Sequence, residues 1–364
     1  MKRLVALMVA YSAIVLSGCG KAEQTPTLDT VAVEVKPIEW KLVTSWPKNF
    51  PGIGMAPENF ADLVAKMSNG RLTIKVYGAG ELMPAFEVFD AVSQGTVQMG
   101  HSAAYYWKGK VPAAQFFTSI PFGLNAREMN GWLHHGGGMQ LWEEVYQPFG
   151  IMPLAGGNTG VQMGGWFNKE INSLDDLKGL KMRLPGLGGE VLKKAGGVPV
   201  TLPGGELYTA LQTGAIDATE WIGPYNDLAF GLHKAAKFYY YPGWHEPGST
   251  LEFLINKDAF ATLPADLQTI VKVASKAVNQ DMLDEYTVKH INALDTLISE
   301  QGVVLKQYPE AVMVELAAIS KQVIAEQSMQ DPMMKKVYQA YIDYEVGVRK
   351  YHEISEDAYS RLRP

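Results

Sequence analysis

The spacing of apolar residues along the chain switches repeatedly between two periods. WKLVTSW at 40–46 reads as a strand, and Pro47 ends it. In APENFADLVAKMSNG (56–70), Phe60, Leu63, Val64 and Met67 recur at helical spacing, and Gly70 terminates the run. RLTIKVYG (71–78) alternates as a strand does, and PAFEVFDAVSQGTVQMG (84–100) reads as helix, a stop at Gly95, then strand. A second series begins at GWFNKEI (165–171) and runs through SLDDLKGLKMRLPG (173–186), GGEVLKKAGGVPVTLP (188–203) and GGELYTALQTGAIDATEW (204–221). Ser173 is placed to cap a short helix at 174–178, with Asp175 and Asp176 in the first turn, where the helix dipole favours acids. STLEFLINKDAF (249–260) returns as a strand, and from about 264 the pattern is helical. Helices alternating with strands predict mostly parallel sheets covered by helices, so two α/β units precede a helical tail.

Composition sets the outer bounds. A chain of 364 residues is long for one small core and suits two domains of similar size. A net charge of −6 leaves no basic footprint for nucleic acid. Lys2 and Arg3 precede an apolar run, Leu4 to Leu16, that is short for a permanent membrane span and reads as a secretory signal. It ends in Leu16-Ser17-Gly18-Cys19, which resembles the bacterial lipobox. That likeness makes 1–19 a lipoprotein signal, Cys19 the lipidated residue and 20–37 a flexible tether. Cys19 is the sole cysteine, so it has no internal disulfide partner. No later run reaches eighteen apolar residues, so an exported protein, tethered to a membrane through lipid alone, is expected.

Catalytic signatures are weak. GHSAA (100–104) departs from the nucleophile elbow at Ala104, and no His or Asp can be assigned as its partner. RLPGLGGEVL (183–192) has Val191 where a dinucleotide fingerprint needs its third glycine, so it reads as a strand-to-helix turn. His134 and His135 are adjacent, point in different directions and read as surface residues.

SLDDLKGLKMRLPG followed by PVTLPGGELYTALQTGAIDATEW resembles the solute-binding subunit of tripartite ATP-independent periplasmic (TRAP) transporters, over roughly 38–330. The set TGVQMGGWFNKEI, TEWIGPYND and YYYPGWHEPG is similar to members that bind 2-oxoacids or 2-hydroxyacids with a metal cation. The resemblance implies an α/β, two-lobe periplasmic-binding-protein (Venus-flytrap) fold with a hinge and a C-terminal helical extension. The first lobe is expected over 38–160, with part of the later chain returning to it, the second over 161–260, and a helical region over 261–364.

It also implies roles. Arg183 would grip the ligand carboxylate, for which a guanidinium's planar fork is suited. Gln162 would bridge ligand and cation. Glu220 beside an acidic ligand would repel it, by roughly 1 kcal/mol at about 4 Å in water and several times more in a drier pocket, unless a cation joins them. Hard cations take oxygen ligands. Glu220, Gln162, the Trp221 carbonyl and Glu246 would supply them to sodium or calcium, while the Trp221 indole walls the ligand. Tyr105 and Tyr106 follow the third strand, whose alternation would turn only one of them into the cleft. Trp46 and Phe50 are weaker candidates for an apolar lid.

The leading expectation is a receptor that closes around a small monocarboxylate, such as pyruvate or lactate, with a cation and delivers it to the TRAP permease. A metal-independent dicarboxylate receptor is the alternative. A periplasmic enzyme with Glu220 as general base lacks a second catalytic partner in the sequence. The tail segments 309–327 and 333–351 carry amphipathic stripes that need burial, either on the chain's own lobes or by exchange within a homodimer.

Overall fold

The structure is a computed structural model that describes residues 36–364. The secretory signal, Cys19 and almost all of the expected tether lie outside the described residues.

Eleven strands form two sheets among these residues. In chain order they are β1 (Ile38–Thr44), β2 (Leu72–Tyr77), β3 (Met99–Ser102), β4 (Ile151–Asn158), β5 (Gly165–Phe167) and β6 (Lys181–Arg183). There follow β7 (Val198–Val200), β8 (Ala218–Thr219), β9 (Phe238–Tyr241), β10 (Thr250–Asn256) and β11 (Val304–Gln307). The first sheet runs β2-β1-β3-β10-β4 and the second β11-β9-β5-β8-β6-β7. β10, inside the first sheet, is covered on both faces, and only Asn256 falls short of full burial.

Three features differ from the sequence reading. Both sheets are mixed: β10 is antiparallel to β3 and β4, and β5 to β8 and β9. These are the strands through which the chain passes directly from one sheet to the other, with no crossover helix to restore its direction. β10 therefore belongs to the first sheet, within the bounds 161–260 expected for the second lobe. The region 261–364 is not wholly helical, since β11 adds a parallel strand to β9 in the second sheet. At 174–177 the chain makes a 3₁₀ turn, Leu174–Leu177. There the Asp176 carboxylate accepts from the backbone N–H groups of Asn172 and Ser173, each at 2.9 Å.

Among the described residues the chain crosses between the sheets three times: at 159–164, at 242–249, and through the region holding the long helix Ala265–Asp295. That helix packs on β4 and on the helix Ala56–Met67, and also meets the helix Pro224–Phe230 that follows β8. The helix Pro332–Ile354 seats Met334, Val337 and Tyr341 in the core of the first lobe. Tyr341 stands edge-on to Trp132 at 5.2 Å, and its hydroxyl accepts from the Leu124 N–H at 2.7 Å. The amphipathic stripe read from the sequence is thus buried on the chain's own body.

Candidate functional site

The ends of β1, β3 and β8 and the first two crossings converge on a small, closed cavity of about 10 Å³ between the sheets. Trp46, Tyr105, Tyr106, Gln162, Trp221 and Leu251 are among the residues that line it. Tyr105 and Tyr106 both do so, because the chain leaves β3 as a 3₁₀ turn, Ala104–Trp107, and strand alternation no longer applies. Burial raises both phenols, Tyr106 to about 12, so both are neutral hydrogen-bonding groups at ordinary pH. Gly186, with φ +61°, begins the helix Gly186–Lys194 that follows β6 and abuts Tyr105: a Cβ there would meet the Tyr105 side chain at 3.1 Å. Phe50 stacks on Phe230 at 4.1 Å and is not among the lining residues.

Behind this cavity lies a buried cluster of charge. Arg183 ends β6 and is 1 % exposed. Its Nε donates to the Leu202 carbonyl (3.2 Å), Nη2 to the Tyr106 hydroxyl (3.0 Å), and Nη1 to the backbone carbonyl and carboxylate Oε1 of Glu220. The guanidinium also lies over the Trp221 ring, 4.9 Å from its centroid. A guanidinium has five N–H donors, so one on Nη2 is left over. Because Tyr106 accepts from Arg183, its own hydroxyl proton is available to another acceptor.

Glu220 and Glu246 are both buried. Glu246 accepts from the Gln162 amide (2.8 Å) and from the Ser249 hydroxyl. Burial and then the charge of Glu220 push Glu246 above the usual carboxylate range. His245, which the sequence reading passed over, completes the cluster: its Nε2 lies 3.5 Å from Glu220 Oε2. One ligand atom from each of Glu220, His245 and Glu246 falls within 4.8 Å of the others. The signal available was its place beside Glu246 in a Gly/Pro-bounded crossing, which is weak without coordinates.

Among the described residues, four atoms of this cluster have no hydrogen bond. Gln162 Oε1, Glu220 Oε2 and both ring nitrogens of His245 are buried without a hydrogen bond. Among the described hydrogen bonds, none ends on the Trp221 carbonyl. Buried oxygens that accept nothing are costly, by about 1–3 kcal/mol each and more when charged. Oxygen atoms so arranged are the donor set of a hard cation, and the residues expected to hold one fit that group. Arg183, Glu220 and Glu246 touch the lining residues but do not themselves line the cavity.

A second layer fixes these groups. Asp227 accepts from Tyr239 (2.7 Å), Trp166 (3.0 Å) and the Ile222 N–H (3.4 Å), which holds the loop carrying Glu220 and Trp221. Asn226 donates to the Pro51 carbonyl (2.9 Å) and accepts from Tyr286, whose hydroxyl accepts in turn from the Ile53 N–H (3.2 Å). Glu252 accepts from Trp107 (2.6 Å) and Tyr146 (2.8 Å), anchoring the turn that carries the two tyrosines. Ser102 of GHSAA is buried against Ser45 (2.6 Å), so it is not an exposed nucleophile. His135 is exposed and His134 half-buried, both away from the site.

Comparison with known proteins agrees with this architecture. Residues 42–331 match the family described as bacterial extracellular solute-binding protein, family 7. A relative from Nostoc sp. (strain PCC 7120), named a monocarboxylate 2-oxoacid-binding periplasmic protein, is 43% identical over 100% of this chain and 99% of its own. A TRAP periplasmic solute-binding protein from Colwellia psychrerythraea, solved with calcium and pyruvate, superposes with a TM-score of 0.87 at 46% identity, over 90% of this chain and 100% of that one. Its counterpart from Pseudoalteromonas atlantica, solved with sodium and pyruvate, gives 0.88 at 45% identity over the same shares. The chain therefore belongs to the family-7 extracellular solute-binding proteins, the substrate-binding subunits of TRAP transporters.

Proposed function

We propose that this receptor captures a small 2-oxo- or 2-hydroxy-monocarboxylate of the pyruvate or lactate type together with a sodium or calcium ion. It passes the acid to the membrane permease subunits. The observation that carries this reading is the set of unpartnered buried acceptors, Gln162 Oε1 and Glu220 Oε2, beside a guanidinium with a donor to spare. The ligands of the two similar solved structures support it. In this reading Glu220, Glu246, Gln162 and the Trp221 carbonyl hold the cation. Arg183 and the Tyr106 hydroxyl meet the acid's oxygens, with Tyr105 and the Trp221 indole as walls.

Charge favours calcium. Once the cation displaces the Glu246 proton, two carboxylates and a bound monocarboxylate against one guanidinium leave a double negative charge, which a divalent ion cancels and sodium halves. Calorimetry of pyruvate binding after chelation in sodium-free buffer should show little binding, restored more strongly by calcium than by sodium. Undiminished affinity without either cation would favour the metal-independent dicarboxylate reading instead.

We place the mature chain in the periplasm with a lipid anchor at Cys19. The family and the lipobox likeness support this, and among the described residues no helix is long and apolar enough to cross a membrane.

A further inference from the structure

Trp46 stands between two spaces. Its indole lines the small cavity with Tyr106 and Trp221, at ring-centroid distances of 6.2 and 6.1 Å. Its chain neighbours Ser45 and Pro47 line a separate, open crevice of about 500 Å³ between the lobes. Pro84, Ala85 and Phe86 of the first lobe and Pro203 of the second give that crevice an apolar wall. Phe86 also packs on Tyr106 at 4.6 Å, so Trp46, Tyr106 and Phe86 together form the partition.

The indole does not stand free. Trp46 Nε1–H donates to His101 Nδ1 at 2.8 Å, and the other ring nitrogen of His101 faces the Gly156 carbonyl at 3.0 Å. An Nδ1 that accepts leaves the ring's one proton on Nε2, where Gly156 takes it, so the two bonds choose one tautomer. Tryptophan, histidine and carbonyl are all buried, and His101 packs against Phe253 at 4.7 Å from the far side. A side chain held by a buried hydrogen bond and packed rings keeps one rotamer. Neither His101 nor the crevice has a part in holding the cation or the carboxylate.

We propose that Trp46 sets the upper size of the acid the site accepts, that His101 holds it there, and that the crevice beyond is a latent subsite for a linear apolar acyl chain. The inference rests on the 2-oxoacid reading above. Removing the indole joins the small cavity to the crevice. A 2-oxoacid then keeps its head group at Arg183 while its hydrocarbon tail lies along Pro84, Phe86 and Pro203.

The test compares pyruvate with 2-oxooctanoate, each with calcium, by calorimetry. Wild type should favour pyruvate by about 100-fold, and Trp46→Ala should bring the two within about tenfold by losing the first and gaining the second. His101→Leu, a positioning variant, should shift the ratio in the same direction by about tenfold. His101→Gln, whose amide can accept from the indole and donate to Gly156, should restore most of the selectivity. The ratio compares two ligands on one folded protein, so a general loss of stability does not move it. If Trp46→Ala fails to fold, Trp46→Phe should shift the ratio in the same sense by less. A ratio unchanged in the folded Trp46 variant and in His101→Leu overturns the proposal. Wild type that takes both acids equally overturns the size limit alone. Wild type that binds neither overturns the 2-oxoacid reading and this inference with it.

Discussion

Arg183 and Glu220 neutralise one another where neither meets water, each side chain being 1 % exposed. This changes what Arg183→Ala should do. Were its part only to grip the ligand, the variant would lose binding and keep its fold. The structure makes Arg183 the counterion of a buried acid, and removing one partner of such a pair costs about 3–5 kcal/mol. Denaturation of the cation-free variant should show that loss, and calcium should recover part of it by taking over the neutralisation of Glu220. Wild-type stability in the variant would mean the pair is not formed in solution. Three other acids predict a pH dependence. Burial pushes Glu252 to about 8 and Asp227 to about 7, and raises Glu246. In each case the folded form holds its proton at a pH where the unfolded form has released it. Stability from these groups is therefore full below about pH 4 and is lost as pH rises through 7 to 8. Glu252→Gln should flatten the upper part of that decline in melting curves between pH 5 and 9, and an unchanged slope would remove Glu252 as its source. At this scale family likeness singled out Arg183, Gln162, Glu220 and Glu246 as site candidates. It gave no sign of Glu252 or His101, whose roles depend on which strands lie side by side.

Among the elements, the least regular ones do most to shape the site. The 3₁₀ turn Ala104–Trp107 aims two consecutive tyrosines at one cavity, which no strand can do. The helix Pro224–Phe230 is short, yet its Asn226 ties together Pro51 of the first lobe and Tyr286 of the long helix. Tyr286→Phe removes the hydroxyl that serves both Asn226 and the Ile53 N–H. Two buried groups are then left unmatched, at about 1–3 kcal/mol each. Urea denaturation should register a loss in that range, and none at all would show that these groups find other partners. Gly52 explains why the approach is so close: a Cβ there would lie 2.7 Å from the Tyr286 ring. Periodicity located the long segments well, such as Ala56–Met67 and β2. It missed the 3₁₀ turn because four residues carry no period, and it missed β11 because a four-residue edge strand inside a helical tail has none either.

For the whole molecule, the two-sheet α/β plan was legible from the alternation of elements, whereas the membership of each sheet was not. β10 follows the second lobe's strands in sequence and pairs in the first lobe, and only long-range pairing decides that. Neither lobe is a continuous stretch of chain. The first sheet draws on 38–158 and 250–256, the second on 165–241 and 304–307. No single cut can release a lobe as a working part. A fragment ending before 249 would lose the strand between β3 and β4, leaving two raw edges where the first sheet had its centre. A sensor built from this protein is better made by inserting a reporter into a surface loop than by dividing the chain, because the two halves of the trap are not halves of the polymer.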